Sequence, residues 1–222
     1  MNWELRKAEM ESAPLILLIG DPSSAYEIQN AVKEKTAEPF HLAVAEAEDW
    51  NRDLSPWPAE AVFWGSEPFA GEADRFLNRL IEEVLTPLTV KPVWTGLAGY
   101  SLAGLFALYA MYQTSRFQRI ASVSGSLWYP EFLSFCRTHT PCEKPQAVYL
   151  SVGDAEKNTR HPLMKTVQDC TESLHAYYAE CGYRTVLELN PGNHFHQETE
   201  RLVRAVSWIL KDTQEPEESR SD

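Results

Sequence analysis

The sequence lacks the features of a membrane or secreted protein. Its densest early apolar run, Leu15–Ile19, is far shorter than the ~18 residues that a membrane span requires. The first fourteen residues hold no long apolar stretch and no small-residue cleavage site, so no secretory signal is predicted. Basic residues are also few: 20 Lys and Arg against 32 Asp and Glu give a net charge of −12, which repels phosphate backbones and anionic lipid. We therefore predict a cytoplasmic chain with neither a nucleic acid nor a membrane as partner.

Cysteine is rare, and its spacing is unlike that of a metal site. Cys136, Cys142, Cys170 and Cys181 form no C-x-x-C pair and are not spaced as zinc ligands. Without an export signal, we expect reduced, partly buried thiols instead of disulfides. The sequence predicts neither a metal nor any other cofactor.

The chain has enough apolar material for one large domain. A sequence of 222 residues with 44% hydrophobic and 23% charged residues buries roughly 70–75% of its unfolded surface without needing a metal or a disulfide. No repeat or linker divides it, so we predict a single domain over residues 1–211. Residues 212–222 contain five acids, one Arg and almost nothing apolar, which predicts a disordered acidic tail.

Apolar blocks alternate with amphipathic stretches along the chain. The predicted strands are Leu15–Ile19, Phe40–Ala45, Ala61–Trp64, Pro92–Ala98, Arg119–Val123, Ala147–Val152 and Arg184–Leu189. The predicted helices are Ala25–Lys35, Ala73–Leu85, Leu102–Gln113, Leu163–Glu180 and Glu198–Leu210, and Trp50–Pro58 is predicted to be irregular. This alternation is typical of an α/β fold with a mainly parallel sheet and helices on both faces. In such a sheet, catalytic and ligand-binding residues usually lie in the loops at the carboxyl ends of the strands.

One strand end carries the strongest signal for chemistry. The strand Pro92–Ala98 runs into Gly99-Tyr-Ser-Leu-Ala-Gly104, where an apolar helix starts at once. A strand that turns directly into a helix tolerates only small residues two before and two after the apex, and Gly99 and Ala103 are small. The apex, Ser101, is then strained and exposed at a helix N-terminus, where unpaired N–H groups favour negative charge. The pattern predicts a nucleophilic serine.

A nucleophilic serine needs a base, and the base needs an acid to orient it. His194 follows a glycine-containing turn after the last predicted strand and is the predicted base, whereas His196 points into the next helix. For the acid, Glu156 and Asp154 both follow an earlier strand. Glu156 is preferred because it sits late enough in the turn to reach the histidine loop. Asp154 stays the alternative, although it could instead brace the turn through the backbone.

Backbone N–H groups are expected to hold the negative charge that develops on the substrate oxygen. One predicted donor is the N–H of Leu102, directly after the serine. The second is predicted in the loop after the first strand, where Pro22 has no N–H, so that Asp21 or Ser23 must supply it. Asp21 is preferred because it lies nearer the strand end.

Four stretches resemble the Putative esterase family of α/β-hydrolases, which contains the esterase D-like enzymes and the enterobactin (ferric siderophore) esterases. They are Gly99–Gly104, Val123–Tyr129, Tyr149–Glu156 and Asn190–Phe195, with Asn51–Trp57 as a weaker match. The resemblance implies an α/β-hydrolase fold and metal-free serine hydrolase chemistry on carboxylic esters, with Ser101 and His194 in the catalytic positions. The antiparallel strands that usually start the sheet are reduced here, unless Trp3–Lys7 forms one.

The resemblance also implies residues on the substrate side of the site. Ser124-Gly-Ser126-x-Trp128 is similar to the family's turn beside the nucleophile, and we expect Trp128 and Tyr100 near the substrate. Arg52 is a third candidate, but it directly precedes Asp53 instead of lying three residues before the acid, as in the family pattern.

Taken together, the residues predict a carboxylesterase that forms an acyl-enzyme with a small-molecule ester. An acyltransferase on the same scaffold and a catalytically silent binding module are the alternatives, because both keep the same fold. The sequence gives no indication of the oligomeric state.

Overall fold

The computed structural model of the chain describes residues 1–62 and 65–211. Its strands are β1 (Trp3–Arg6), β2 (Leu15–Ile19), β3 (His41–Ala45), β4 (Pro58–Ala59), β5 (Phe69–Ala70), β6 (Thr95–Tyr100), β7 (Arg119–Val123), β8 (Ala147–Gly153) and β9 (Thr185–Asn190). Its α-helices are α1 (Ala25–Lys33), α2 (Trp50–Asp53), α3 (Ala73–Arg79), α4 (Leu102–Gln113), α5 (Phe132–Thr138), α6 (Val167–Glu180) and α7 (Glu198–Leu210). The predicted tail 212–222 lies outside the described residues, as do positions 63 and 64 of the predicted strand Ala61–Trp64; positions 61 and 62 are in no strand.

Seven strands form one sheet in the order β1-β3-β2-β6-β7-β8-β9. β1 runs antiparallel to β3, and the other neighbours in this sheet are parallel. The candidate segment Trp3–Lys7 therefore does supply an antiparallel strand. Because parallel strands end at the same edge, the loops after β6, β8 and β9 meet there. The predicted α/β class with a mainly parallel sheet is confirmed.

Helices cover both faces of the sheet because its central strands are apolar on both sides. The side chains of β2 alternate between two cores. Leu15, Leu17 and Ile19 pack with α3, α4 and α6, whereas Ile16 and Leu18 pack with α1 and α7. This alternation is the period of two that a strand imposes.

Several local predictions were wrong in their details. Trp50–Pro58 is not wholly irregular, because the carboxylate of Asp49 accepts a hydrogen bond from the N–H of Arg52 (3.1 Å) and starts helix α2. The strand predicted at Pro92–Ala98 starts and ends later, as β6, and the helix predicted from Leu163 opens with a 3₁₀ turn before α6. A π-helical turn extends α3, and α5 was not predicted.

The cysteines and other metal-binding side chains are dispersed. All four cysteines are free thiols. Cys136 is buried and Cys170 half-buried, but Cys142 and Cys181 are exposed, so the expectation of partly buried thiols is wrong for those two. Among residues 1–62 and 65–211, no three His, Cys, Asp or Glu side chains cluster in a way that could hold a metal ion. No helix in the same residues is long and apolar enough to cross a bilayer.

Candidate active site

The turn between β6 and α4 holds Ser101 in a strained conformation. Its φ of 57° and ψ of −122° lie outside the regions that a non-glycine residue normally adopts. The N–H of Ser101 donates to Val123 O on the neighbouring strand (3.0 Å), and Ser101 O accepts from Gly104 N (3.0 Å). A side chain at Gly99 would lie 2.4 Å from the carbonyl carbon of Ala103. Only glycine therefore allows the strand to approach the helix this closely.

Three loops bring the predicted serine, histidine and glutamate together. Ser101 Oγ lies 2.9 Å from His194 Nε2, and His194 Nδ1 lies 2.8 Å from Glu156 Oε2. Because an ionised carboxylate only accepts, Nδ1–H donates to Glu156, and Nε2 is left to accept the hydrogen bond of the serine hydroxyl. These three side chains form one continuous chain of hydrogen bonds from the strained turn into the protein.

The carboxylate of Glu156 is buried, with 3% of its side chain exposed. Burial by itself raises the pKa of this group, but the hydrogen bond and charge of His194 and the N–H of Gly153 (2.6 Å) outweigh it. The pKa of Glu156 therefore lies below its ordinary value of 4.5. Arg201 Nη1 also donates to Glu156 Oε1, at 3.0 Å.

Arg201 was missed by the sequence analysis, although it connects every part of this site. Its side chain is fully buried. Besides Glu156, Nη1 donates to Ser124 Oγ (2.9 Å) and Tyr100 OH (3.3 Å), and Nη2 donates to two carbonyl oxygens of the histidine loop, Pro191 O (2.9 Å) and Asn193 O (3.1 Å). One cation on α7 therefore ties together the loops that carry the serine, the glutamate and the histidine.

Asp154 and His196 lie outside the hydrogen-bond chain. Asp154 Oδ1 accepts from Gly192 N (2.9 Å), and Asp154 N donates to Asn190 O (2.8 Å). Asp154 thus braces the histidine loop against the end of β8, mainly through its side chain, whereas the sequence analysis considered a brace of its own turn through the backbone. His196 is exposed, and its N–H donates to Asn193 O (3.2 Å).

Two cavities have Ser101 in their border. Cavity A, of about 500 Å³, is bordered by His194, Glu156, Asn193, Met164, Val167 and Phe195, among others. Cavity B, of about 250 Å³, is bordered by Leu102, Trp50, Asn51, Val62, Ser66 and Phe69. Ser101, Ser126 and Trp128 border both cavities. Ser126 Oγ lies 3.5 Å from Ser101 Oγ, so the turn that begins at Ser124 does lie beside the serine.

Of the three residues predicted on the substrate side, Trp128 borders the cavities and two do not. Tyr100 is buried, and its hydroxyl donates to His194 O (2.6 Å). Burial raises the pKa of Tyr100 above its ordinary value of 10.0, so this hydroxyl stays a neutral donor. Arg52 Nε donates to Asp53 Oδ1 at 2.8 Å, and Arg52 is not among the described residues that border either cavity.

The two predicted oxyanion donors differ in their position. Leu102 is the first residue of α4 and borders cavity B, and an N–H at this helix position has no acceptor within its own helix. Asp21 is exposed, its Oδ1 accepts from Ser23 N (2.9 Å), and it is not among the described residues around cavities A and B.

The sequence was also compared with known families and structures. Residues 22–188 match the model of the family described as Putative esterase. The chain belongs to this family. An ester hydrolase, the predicted class of enzyme, is confirmed by that membership. The matched residues include the strained serine and the buried glutamate but end before the histidine loop.

Relatives of known sequence or structure are distant. Uncharacterized protein YbbA of Bacillus subtilis strain 168 is 23% identical over 210 residues, covering 86% of this chain and 83% of that protein. An IroE-like serine hydrolase from Shewanella oneidensis superposes with a TM-score of 0.74 at 14% identity. The match covers 94% of this chain and 75% of the chain of that hydrolase. Siderophore hydrolase EstA from Aspergillus nidulans has a TM-score of 0.63 at 19% identity, with coverages of 90% and 82%. The two structures confirm the predicted α/β-hydrolase fold.

Proposed function

We propose that this esterase cleaves carboxylic esters through an acyl-enzyme, with Ser101 as nucleophile, His194 as general base and Glu156 as the acid behind it. The observation that carries the proposal is the unbroken pair of hydrogen bonds from Ser101 Oγ to His194 Nε2 (2.9 Å) and from His194 Nδ1 to Glu156 Oε2 (2.8 Å). Residues that only packed a core would not need this order of donor, base and carboxylate.

Acylation moves one proton and exchanges one bond. Ser101 Oγ attacks the ester carbonyl while His194 Nε2 accepts the hydroxyl proton. The tetrahedral intermediate then loses its alkoxide, which takes the proton from Nε2 and leaves as an alcohol. Water repeats the sequence in the second half: His194 accepts a proton from water, and the hydroxide attacks the acyl carbon. The bond from this carbon to Ser101 Oγ then breaks, which releases the carboxylic acid, and Oγ regains its proton from His194.

Two buried groups keep the imidazole ready for these transfers. Glu156 fixes the tautomer with the proton on Nδ1 and stabilises the imidazolium that forms during the attack. Arg201 acts as a positioning residue, since it donates one hydrogen bond to Glu156 and two to carbonyl groups of the histidine loop. Two more go to Tyr100 OH and Ser124 Oγ.

Negative charge on the carbonyl oxygen needs donors that are already in place. We assign one to the N–H of Leu102, where the N-terminus of α4 adds a favourable dipole. The second donor stays a prediction at Asp21. This residue is not among the described residues that border either cavity.

A fluorophosphonate probe tests the nucleophile directly. The wild-type chain should be labelled, and Ser101→Ala should lose both labelling and turnover of 4-nitrophenyl acetate, with kcat falling on the order of 10⁶-fold. Ser126→Ala is the matched control, because this second hydroxyl lies 3.5 Å from Ser101 Oγ but does not contact the imidazole; it should still be labelled. Labelling that persists in Ser101→Ala would reject the proposal.

The products distinguish hydrolysis from the two alternatives. A hydrolase releases the acyl group only as the carboxylic acid, whereas an acyltransferase forms a new ester when an acceptor alcohol is added. A silent binding module gives neither product nor labelling, but nothing in core packing requires the serine, histidine and glutamate to meet.

We place the reaction in the cytoplasm, since two exposed free thiols suit a reducing compartment.

A further inference from the structure

Cavities A and B differ in which part of the proposed machinery they touch. His194 and Glu156 border cavity A and not cavity B. Leu102 borders cavity B and not cavity A. Ser101 borders both. The proton carrier therefore faces one cavity and the proposed oxyanion donor faces the other.

The alcohol part of an ester has to meet the proton that His194 carries. In the proposed reaction, the imidazole donates this proton to the leaving oxygen. Since Nε2 lies 2.9 Å from Ser101 Oγ and the ring faces cavity A, the leaving oxygen and its substituent lie on that side. The alcohol portion accordingly occupies cavity A.

The other substituents of the reacting carbon are then fixed by exclusion. The carbonyl oxygen points to the N–H of Leu102 at the start of α4. With the alcohol in cavity A, the acyl chain extends from Ser101 into cavity B, which the same serine also borders.

Size and lining give each portion a chemical character. Cavity A, at about 500 Å³, falls within the range of about 300–1,000 Å³ that is usual for ligand sites, and cavity B, at about 250 Å³, falls below it. Trp128, Met164 and Val167 give cavity A an apolar border, and Phe195, 79% exposed, extends this border towards solvent. Cavity B also has an apolar border, with Val62 and Phe69 beside the polar residue Asn51, so the two cavities differ mainly in size.

We propose that cavity A receives the alcohol and cavity B the acyl group, so that the substrates are esters of a bulky apolar alcohol with a short acyl chain. This inference rests on the proposed function. Met164, on the border of cavity A, should contact the alcohol portion of the substrate. Val62, on the border of cavity B, should contact the acyl portion. Acylation joins the short acyl group to Ser101 Oγ and releases the bulky alcohol with the proton from His194.

Two substrate series test the assignment in the wild-type enzyme. For acetates of methyl, benzyl and 2-naphthylmethyl alcohol, whose leaving groups differ little in chemistry, kcat/KM should rise at least about tenfold with alcohol size. For 4-nitrophenyl esters with acyl chains of two, four, eight and twelve carbons, kcat/KM should fall by about tenfold or more beyond four carbons. The opposite trend in either series overturns the proposal.

Two variants separate the cavities by the step they affect. Met164→Trp fills cavity A and should lower kcat/KM for the naphthylmethyl ester by about tenfold or more relative to the methyl ester. Water takes the place of the alcohol in cavity A during deacylation, so this variant should change the deacylation rate constants of the acetyl-enzyme and the butanoyl-enzyme by the same factor and leave their ratio unchanged. Val62→Trp fills cavity B, which holds the acyl chain, and should change that ratio. Leu163→Trp is the matched control: Leu163 is next in the chain and exposed, but borders neither cavity.

The readouts keep this inference distinct from the function on which it rests. If the fluorophosphonate labels Ser101 but Met164→Trp changes the ratio of the acetyl-enzyme and butanoyl-enzyme deacylation rate constants while Val62→Trp changes only the alcohol preference, the assignment of the cavities is reversed and the proposal fails. If the wild-type chain is not labelled at all, the proposed serine chemistry itself fails, and the substrate assignment fails with it.

Discussion

Replacing Arg201 by methionine removes a buried cation that, alone among the described residues, contacts all three loops of the site. The substitution keeps a long apolar stem in the core but leaves the buried carboxylate of Glu156 without its partner at 3.0 Å. It also removes the donors to Pro191 O and Asn193 O, which hold the histidine loop. Both stability and catalysis should therefore suffer.

The magnitude follows from burial. The exposed fractions of the Arg201 and Glu156 side chains are 0% and 3%, so the pair is not screened by solvent. Breaking such a buried pair on one side costs about 3–5 kcal/mol, against a total free energy of unfolding of about 5–15 kcal/mol for a domain. A displacement of the imidazole by about 1 Å also lowers kcat by about 10²-fold. KM should change little, because Arg201 is not among the described residues around cavities A and B.

Urea denaturation and steady-state kinetics check both effects. Arg75→Met is the surface control: Arg75 pairs with Glu72 at 2.9 Å, but its side chain is 71% exposed, so its loss should cost about 0–1 kcal/mol. The double variant Arg201→Met with Glu156→Gln should be less destabilised than the sum of its single changes, since the neutral amide leaves no unpaired charge. A loss below about 1 kcal/mol in Arg201→Met, or strictly additive changes, would refute the reasoning.

Three further predictions concern single groups. Asp154→Ala removes the brace to the histidine loop and should cost about 0.5–1.5 kcal/mol in urea denaturation while most of kcat remains; a collapse of kcat would make Asp154 the acid. At pH 8, a thiol reagent should label the exposed Cys142 and Cys181 before the buried Cys136, because burial raises the pKa of Cys136 to about 12. Mass spectrometry of the peptides measures the order of labelling, and early labelling of Cys136 would contradict this prediction. The folded-state pKa of Glu156 is depressed, so its contribution to stability is present above the ordinary value of 4.5 and is lost as the pH falls through the folded value. Unfolding free energies measured from pH 7 to 3 should therefore fall less steeply in Glu156→Gln than in the wild type, and parallel curves would argue against the shift.

Much of the site could be predicted because its signals are local. The elbow needs small residues at fixed positions around Ser101, and a sequence shows them directly. His194 and Glu156 follow from the rule that parallel strands end at one edge, which turns strand order into proximity. The ends of β2 and α4 were predicted to the residue, since both are nearly continuous apolar blocks with clear boundaries.

What the sequence could not show depends on contacts between distant segments. Arg201 lies on the buried side of α7 with Ala205 and Ile209, at the four-residue spacing of an apolar stripe. That spacing is a usable signal: a charge on the apolar stripe of a helix has to find a buried partner. The sequence gives no way to identify that partner as Glu156, 45 positions earlier.

The site is organised around a requirement that sequence patterns do not express. In an apolar environment, a carboxylate as deeply buried as that of Glu156 would take up a proton. The neutral acid would then stabilise a charged imidazole less well. Here the carboxylate stays charged because one oxygen accepts from His194 and the other from Gly153 N and Arg201. The same arginine reaches Tyr100, whose hydroxyl donates to His194 O. The strained serine turn and the histidine loop are thus held against one another by a cation that touches neither reacting atom.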